Sequence, residues 1–208
     1  MKSKLIALAA AMAISPIAFA GDQDVYITEV MYTGLFGEFI EVTNTASALV
    51  DLDGWRFDDN SADFATATEL FDTTTELGLN ETIVITEVSA AVFTQAWFTD
   101  AGHATPGGLV AIFENNSNNL GRSDEVNIYN DGGTPVDQLT FNDQAATGTN
   151  PRGPRTEEFS AVPGVSTVLG DNVFKNWVLS AVGTGNAWKA GAAAPVPGSV
   201  GSPGQYPN

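Results

Sequence analysis

The segment of residues 25–57 constrains the fold of this chain more than any other part of the sequence. It reads VYITEVMYTGLFGEFIEVTNTASALVDLDGWRF and begins with two runs rich in Val, Ile, Thr, Tyr and Phe, the residues that favour strands. A short connection that contains glycine separates the runs at 25–32 and 38–44. This order predicts a β-hairpin at the start of the folded body, with Ile40 and Val42 facing inward.

Further segments of the chain have the same strand-forming composition, and turn-forming residues separate them. The strands at 49–52 and 55–57 are expected to continue one sheet around the turn at Asp53-Gly54. Residues 130–135 are expected to connect a later hairpin. A series of short strands of this kind predicts an antiparallel β-sandwich. The remaining predicted strands cover 67–71, 81–87, 109–113, 125–129, 136–141 and 176–180.

One segment, at 89–98, has helical rather than strand periodicity, and Ser89 precedes it as a candidate N-cap. We therefore predict one short helix with a stripe of apolar residues toward the core. Two segments, 58–72 and 143–172, are polar or rich in Gly, Pro, Thr and Asn and predict long loops. The apolar stripe consists of Val92, Phe93, Ala96 and Trp97.

The first 20 residues have the pattern of a signal peptide. Lys2 and Lys4 precede an apolar run at 5–14, and an A-x-A sequence ends at Ala20. We therefore expect an exported protein, secreted or located in the periplasm or outside the cell. No later apolar run approaches the ~20 residues that span a bilayer, so no membrane insertion is expected. The sandwich is assigned to 21–182, and 183–208 to a Gly/Ala/Pro-rich tail or edge strand.

Charge narrows the range of partners. Without the first 20 residues the chain has six Lys and Arg against 25 Asp and Glu, a net charge of −19. Such a charge repels phosphate backbones and anionic headgroups, so we expect no nucleic-acid partner. The chain has no cysteine, so the core or bound ions must hold the fold in place of disulfides.

The chain contains, in this order, the short sequences ITEVMY, GEFIEVTN, VDLDGW, LNETIVIT, NIYNDGGTPVDQLTF, NWVLS and GSPGQYPN. This series resembles the lamin tail domain, an immunoglobulin-like module of nuclear lamins and of many bacterial exported proteins. The resemblance implies an all-β, immunoglobulin-like antiparallel β-sandwich with one short helix and long loops, in a bacterial exported member of the family. The family recurs as an accessory or interaction module and has no one shared reaction. The loops at 58–72 and 143–172 are longer than its pattern. The family's marked positions correspond to Glu29, Glu38, Glu41, Asn44, Gly54 and Trp55 of this sequence.

Two glutamates of the first hairpin are candidate metal ligands. If the hairpin pairs symmetrically about its connection, Glu29 lies opposite Glu41, and two opposed carboxylates repel. Arg56 on a neighbouring strand or exposure to water would relieve the repulsion. The alternative is a bound Ca²⁺, a cation that collects oxygen ligands.

A second acidic cluster follows the hairpin and consists of Asp51, Asp53, Asp58, Asp59, Asn60 and Asp63. Its composition is typical of calcium sites, but its spacing is not that of an EF-hand loop. A solvated turn is the other interpretation. Calcium is therefore the only cofactor that the sequence suggests.

No catalytic motif is present, and His103 is the only histidine. We therefore expect a non-catalytic module that binds a protein or a cell-envelope polymer, with no catalytic residues. The alternative is a Ca²⁺-dependent carbohydrate-binding or hydrolytic domain that uses the acidic loops. Exposure of Phe64 or Phe71 beside those loops would favour the alternative, and their burial would favour the binding module. The oligomeric state does not follow from the sequence.

Overall fold

The computed structural model of the chain describes residues 24–59, 61–71, 75–115, 117–144, 152–191 and 198–206. Nearly all of the regular structure in these residues is β-strand, and the fold is an immunoglobulin-like β-sandwich with a single short α-helix. The strands are β1 Val25–Met31, β2 Phe39–Asn44, β3 Val50–Asp51, β4 Arg56–Asp58, β5 Thr68–Glu69, β6 Glu76–Leu77, β7 Thr82–Thr86, β8 Leu109–Glu114, β9 Ser123–Tyr129, β10 Pro135–Asn142, β11 Ala161–Pro163, β12 Trp177–Leu179, β13 Trp188–Lys189 and β14 Val200–Gly201.

Two sheets form the sandwich. A six-stranded sheet has the order β12-β11-β1-β2-β7-β8, and a four-stranded sheet has the order β10-β9-β4-β5. The predicted hairpins are both present, as β1–β2 and β9–β10. The β7–β8 pair is parallel, the exception in the six-stranded sheet, because the chain crosses over through the helix between these two strands.

The main core lies between the two sheets. Ile40 and Val42 of β2 are buried in it, as predicted, together with Ile83 and Ile85 of β7. Side chains of the four-stranded sheet meet them from the other side, because alternate residues of each strand point to one face. That second group comprises Phe57, Val126, Ile128, Leu139 and Phe141.

A third layer covers the outer face of the six-stranded sheet. It begins with α1 (Ala90–Thr94), which continues directly into a π-helical segment, Gln95–Thr99. The Ser89 side chain accepts a hydrogen bond from Val92 N, so the predicted cap is confirmed. Phe93, Ala96 and Trp97 pack on the sheet as predicted, whereas Val92 is 50% exposed. The sheet residues below the helix are Met31, Phe39 and Val84.

The prediction that residues 49–52 and 55–57 continue one sheet is wrong. β3 pairs with β6 in a small two-stranded sheet, whereas β4 joins β9 in the four-stranded sheet. Gly54, at φ +75°, turns the chain between the two sheets. This conformation is unfavourable for residues with a Cβ atom, so the Asp-Gly turn redirects the chain rather than closing a hairpin.

For residues 183–208 the sequence predicted a tail or an edge strand rather than part of the core; the structure has short paired strands there, and it also buries residues 199–204. β14 pairs with β13, and residues 199–204 are buried against the outer face of the six-stranded sheet. Trp188 of β13 belongs to the same apolar cluster as Trp97. The Gly- and Ser-rich composition did not predict this burial, because these small residues can pack closely against a polar sheet face.

The predicted signal peptide at 1–20 lies outside the described residues. Among the residues that are described, no helix is long and apolar enough to cross a membrane.

Candidate functional site

The two glutamates of the first hairpin lie opposite each other, as the symmetric pairing predicts. Both point to the outer face of the six-stranded sheet and are completely buried. The expectation of relief by Arg56 or by water is wrong. Arg56 lies on the other sheet, where its guanidinium is 3.9 Å from the Glu69 carboxylate. We call Glu29 and Glu41 the buried glutamate pair.

Residues near the end of the chain donate hydrogen bonds to Glu29. Its Oε1 accepts from the Ser202 backbone N–H at 2.7 Å and from the Ser160 hydroxyl, and its Oε2 accepts from the Ser202 hydroxyl at 3.0 Å. Gly201 passes so close that a Cβ atom there would lie 2.9 Å from Glu29 Oε1 and 3.1 Å from Trp97. Only glycine allows this approach.

Glu41 has the same kind of environment. Its Oε1 accepts from the Thr28 hydroxyl at 2.7 Å, and its Oε2 accepts from the Gly204 backbone N–H at 2.5 Å. Burial raises the pKa of both glutamates, and the charge of Glu29 raises the pKa of Glu41 further. No cation contributes to either shift. The pair therefore anchors the end of the chain through N–H and O–H donors.

The second acidic group is divided between two places. Asp51 Oδ1 accepts from Asp53 N at 3.0 Å, which closes a local turn. Asp58 accepts from Ser61 N and Ala62 N and so holds the start of the following loop. In the described part of the chain, no three His, Cys, Asp or Glu side chains are grouped so that they could hold a metal ion. Calcium binding by any of these carboxylates stays a prediction.

An open groove lies between the loop at 61–67 and the outer face of the four-stranded sheet. We call it the loop groove, and its volume is about 310 Å³. Strand alternation creates it, because Val126 and Ile128 of β9 face the core while their neighbours face outward. Its lining includes Asp63, Phe64, Asn127, Tyr129, Pro135 and Gln138.

Aromatic and amide contacts fix the floor of the loop groove. The rings of Phe64 and Tyr129 meet edge to face, with centroids 5.8 Å apart. Gln138 Nε2 donates to Asn127 Oδ1 at 2.6 Å, across the β9–β10 pair. Asn127 Nδ2 in turn donates to Glu125 Oε1 at 3.1 Å. The amides therefore hold one another in place.

Tyr129 is the most buried aromatic residue in the lining of the loop groove, with 4% of its surface exposed. Burial raises its pKa, and the charges of Asp58, Glu125 and Asp63 raise it further. The lining therefore combines a phenol with the carboxylate of Asp63, and Asp58 and Glu125 add negative charge nearby.

Phe64 on the loop side of this groove was a candidate residue in the sequence analysis, whereas no residue on the β9 side was. The structure leaves Phe64 half-buried and buries Phe71 in the core. The Arg56 guanidinium already covers the Phe64 ring, with Cζ 4.5 Å from the ring centroid. Arg56 therefore occupies one face of the Phe64 ring, and the Phe71 ring lies in the core. The outward alternation of Asn127 and Tyr129 in β9 was the signal that could have predicted the other side.

His103 has no catalytic surroundings among the described residues. Its ring stacks on Trp188 at 3.9 Å between centroids, and its Nδ1 lies 3.1 Å from the Ala104 carbonyl oxygen. An acid–base role would need a nucleophile and an orienting carboxylate. Its two contacts provide neither.

The positions that the resemblance marks have structural contacts in this protein. Glu38 accepts from Leu120 N at 2.7 Å, and Asn44 Nδ2 donates to the Leu77 carbonyl at 2.8 Å. Trp55 is buried in the core. Together with the buried glutamate pair and Gly54, these residues connect loops to strands rather than form a reactive centre.

Comparison with known proteins agrees with this architecture. The family model described as Lamin Tail Domain matches residues 19–143, more than half of the chain. No curated protein matches the sequence. The matched region includes the first hairpin, the helix, β9 and β10. The chain belongs to the lamin tail domain family.

Proposed function

We propose that this protein is an exported, non-catalytic module that binds a protein or a cell-envelope polymer through the loop groove. The family supports a non-catalytic immunoglobulin-like module. The pattern of residues 1–20 supports export. The proposal assigns binding to loops held at one side of a stable sandwich, where functional residues commonly lie.

The observation that carries the proposal is the contrast between the loop groove and the rest of the acidic residues. The groove is open, and the exposed carboxylate of Asp63 lies in its lining. The buried glutamate pair, by comparison, has donors for all of its oxygens.

Binding can be tested with purified protein and a cell-envelope preparation separated into polymer and protein fractions. We expect retention on one fraction and weaker retention of the variants Tyr129→Phe and Asp63→Asn. Glu114→Gln is the matched control, because Glu114 is an exposed acid of β8 and does not line the groove. Equal retention of all four proteins, or none, would contradict the proposal.

The non-catalytic part of the proposal has its own measurement. We expect no turnover of nucleic acid, ester or glycan substrates above the rate without protein. Reproducible turnover that disappears in the variants His103→Ala or Glu41→Gln would overturn it, since these residues would then act in a reaction.

A further inference from the structure

We propose that two copies of this protein form a symmetric dimer by antiparallel pairing of their β12 strands. β12 is an edge strand of the six-stranded sheet, and among the described strands it pairs with β11 alone. The dimer is independent of the loop groove, which lies on the other sheet. Its basis is the exposure, the charge and the order of residues at this edge.

Apolar side chains are exposed along the β12 edge. Val178 and Leu179 are 51% and 43% exposed, and as neighbours in a strand they point to opposite faces of the sheet. Three further exposed valines lie in the adjacent segments, at Val165, Val168 and Val182. An apolar edge of this kind is a template for a further strand, because its outward row of backbone N–H and C=O groups has no neighbour in the sheet.

The β12 edge has no charged residues, although the protein is strongly acidic. No Asp, Glu, Lys or Arg occurs at 159–170 or at 176–188. The other edge strand of the same sheet, β8, differs because Glu114 is one of its residues. A net charge of −19 without the first 20 residues makes two copies repel each other. At the β12 edge they can meet without opposing carboxylates.

The backbone of β12 is complementary to a second copy of itself. Ser180 N–H donates to the Ser160 carbonyl oxygen at 2.8 Å, so Ser180 directs its backbone groups toward the β11 side. Strand alternation then directs the N–H of Leu179 and the C=O of Trp177 to the free edge. Antiparallel pairing about a two-fold axis uses this spacing, because the Leu179 N–H of each copy meets the Trp177 carbonyl of the other.

The side chains of β12 match in the same register. With the two-fold axis at Val178, the two Val178 side chains meet, and Leu179 lies opposite Trp177 of the second copy. Asn176 lies opposite Ser180, so polar residues also pair with polar residues. Because each residue faces one of its own kind, the order favours a second copy over an unrelated strand as the partner.

Sedimentation of the purified protein tests the dimer. We expect a monomer–dimer equilibrium whose dimer fraction rises with concentration up to about 0.5 mM, since so small an interface is weak. Val178→Lys should weaken association at least about tenfold, because two lysines would face each other at the axis. Val110→Lys is the matched control and should leave association unchanged, because Val110 is 42% exposed on β8, at the opposite edge of the sheet.

Opposite charges at residue 178 test the register. The variants Val178→Lys and Val178→Glu should each be monomeric alone. Their equimolar mixture should form a heterodimer, because the axis places residue 178 of one copy against residue 178 of the other. Melting curves of the single variants check that both are folded.

Three results would overturn the inference. One is a protein that stays monomeric over the whole concentration range. Another is a dimer that Val178→Lys leaves intact, because its interface would then lie elsewhere. The third is a monomer whose amide chemical shifts at 177–180 change on addition of a blocked peptide of alternating threonine and valine, which would assign the edge to a strand of a different protein.

Discussion

The buried glutamate pair and the loop groove contain the same chemical group in opposite surroundings. Glu29 and Glu41 are completely buried, and they accept hydrogen bonds from Ser202 and Gly204 near the end of the chain. The carboxylate of Asp63 lies at an open groove. Neither place has an ion pair with a cation in the described part of the chain.

This difference separates structural acids from acids that are available to a ligand. A buried carboxylate whose oxygens all have donors holds its neighbours, and its loss leaves those donors without partners. An exposed carboxylate contributes little to folding and much to the local potential. Acidic residues in this chain should therefore be judged by their donors rather than by their number.

The largest loss of stability is expected from replacing Glu41 with leucine. The change keeps the volume but removes the acceptor of Gly204 N–H and of the Thr28 hydroxyl, so the free energy of unfolding should fall by about 2–4 kcal/mol. Urea unfolding measures it. Hydrogen exchange at Gly204 should accelerate as well. Unchanged stability would mean that the pair does not anchor the chain end.

Stability should also fall as pH rises. Burial raises the pKa of both glutamates of the pair, of Glu38 to about 8 and of Asp137 to about 6. Folded-state values above the unfolded ones mean that the contribution is complete below about pH 4.5 and is lost as pH rises toward 8. We expect Tm to be lower by about 5 °C at pH 9 than at pH 5.5.

The variant with Gln at both 29 and 41 provides the control for this pH effect. Glutamine keeps an acceptor oxygen at each position but does not ionise, so the decrease of Tm with pH should become shallower. A profile as steep as that of the original protein would assign the effect to other groups.

The sequence predicted the sheets better than it predicted what covers them. Alternation in β2 predicted that Ile40 and Val42 face the core, because burial of one face leaves a period of two, whereas the inward face of β1 could not be chosen from its sequence. The opposition of Glu29 and Glu41 followed from the same pairing. The third layer did not follow, since the approach of residues 199–204 depends on packing between distant segments. Composition alone suggests a tail there.

The same limit applies to the candidate site. Phe64 was recognised because it lies in an acidic loop, but Tyr129 belongs to a strand 65 residues later in the numbering of the chain. Only folding brings the two rings to 5.8 Å. Arg56 could not be assigned either, because the turn at Gly54 moves it to the other sheet.

Calcium removal is expected to lower stability less than replacing Glu41 or ionising the buried glutamate pair does. The prediction from the sequence is that a chelator lowers the Tm by several degrees if the buried glutamate pair or the acidic cluster at 51–63 binds the ion. The variant Asp59→Asn should then lose part of the shift. Identical melting curves with and without chelator would end the calcium hypothesis for both regions.

The smallest change in stability is expected from a substitution at the loop groove, Asp63→Asn. Asp63→Asn keeps the Oδ1 acceptor that holds Ala65 N at 2.9 Å, so the loop should retain its shape. Because the carboxylate is exposed and lies near Asp58 and Glu125, losing its charge should change the free energy of unfolding by no more than about 0.5 kcal/mol. Urea unfolding of the Asp63→Asn and Glu41→Leu variants, under the same conditions, measures the two changes in the free energy of unfolding. If Asp63→Asn lowered the free energy of unfolding as much as Glu41→Leu does, Asp63 would be a structural acid and the contrast between the two regions would disappear. Unchanged stability together with weaker binding would mean that Asp63 contacts the ligand.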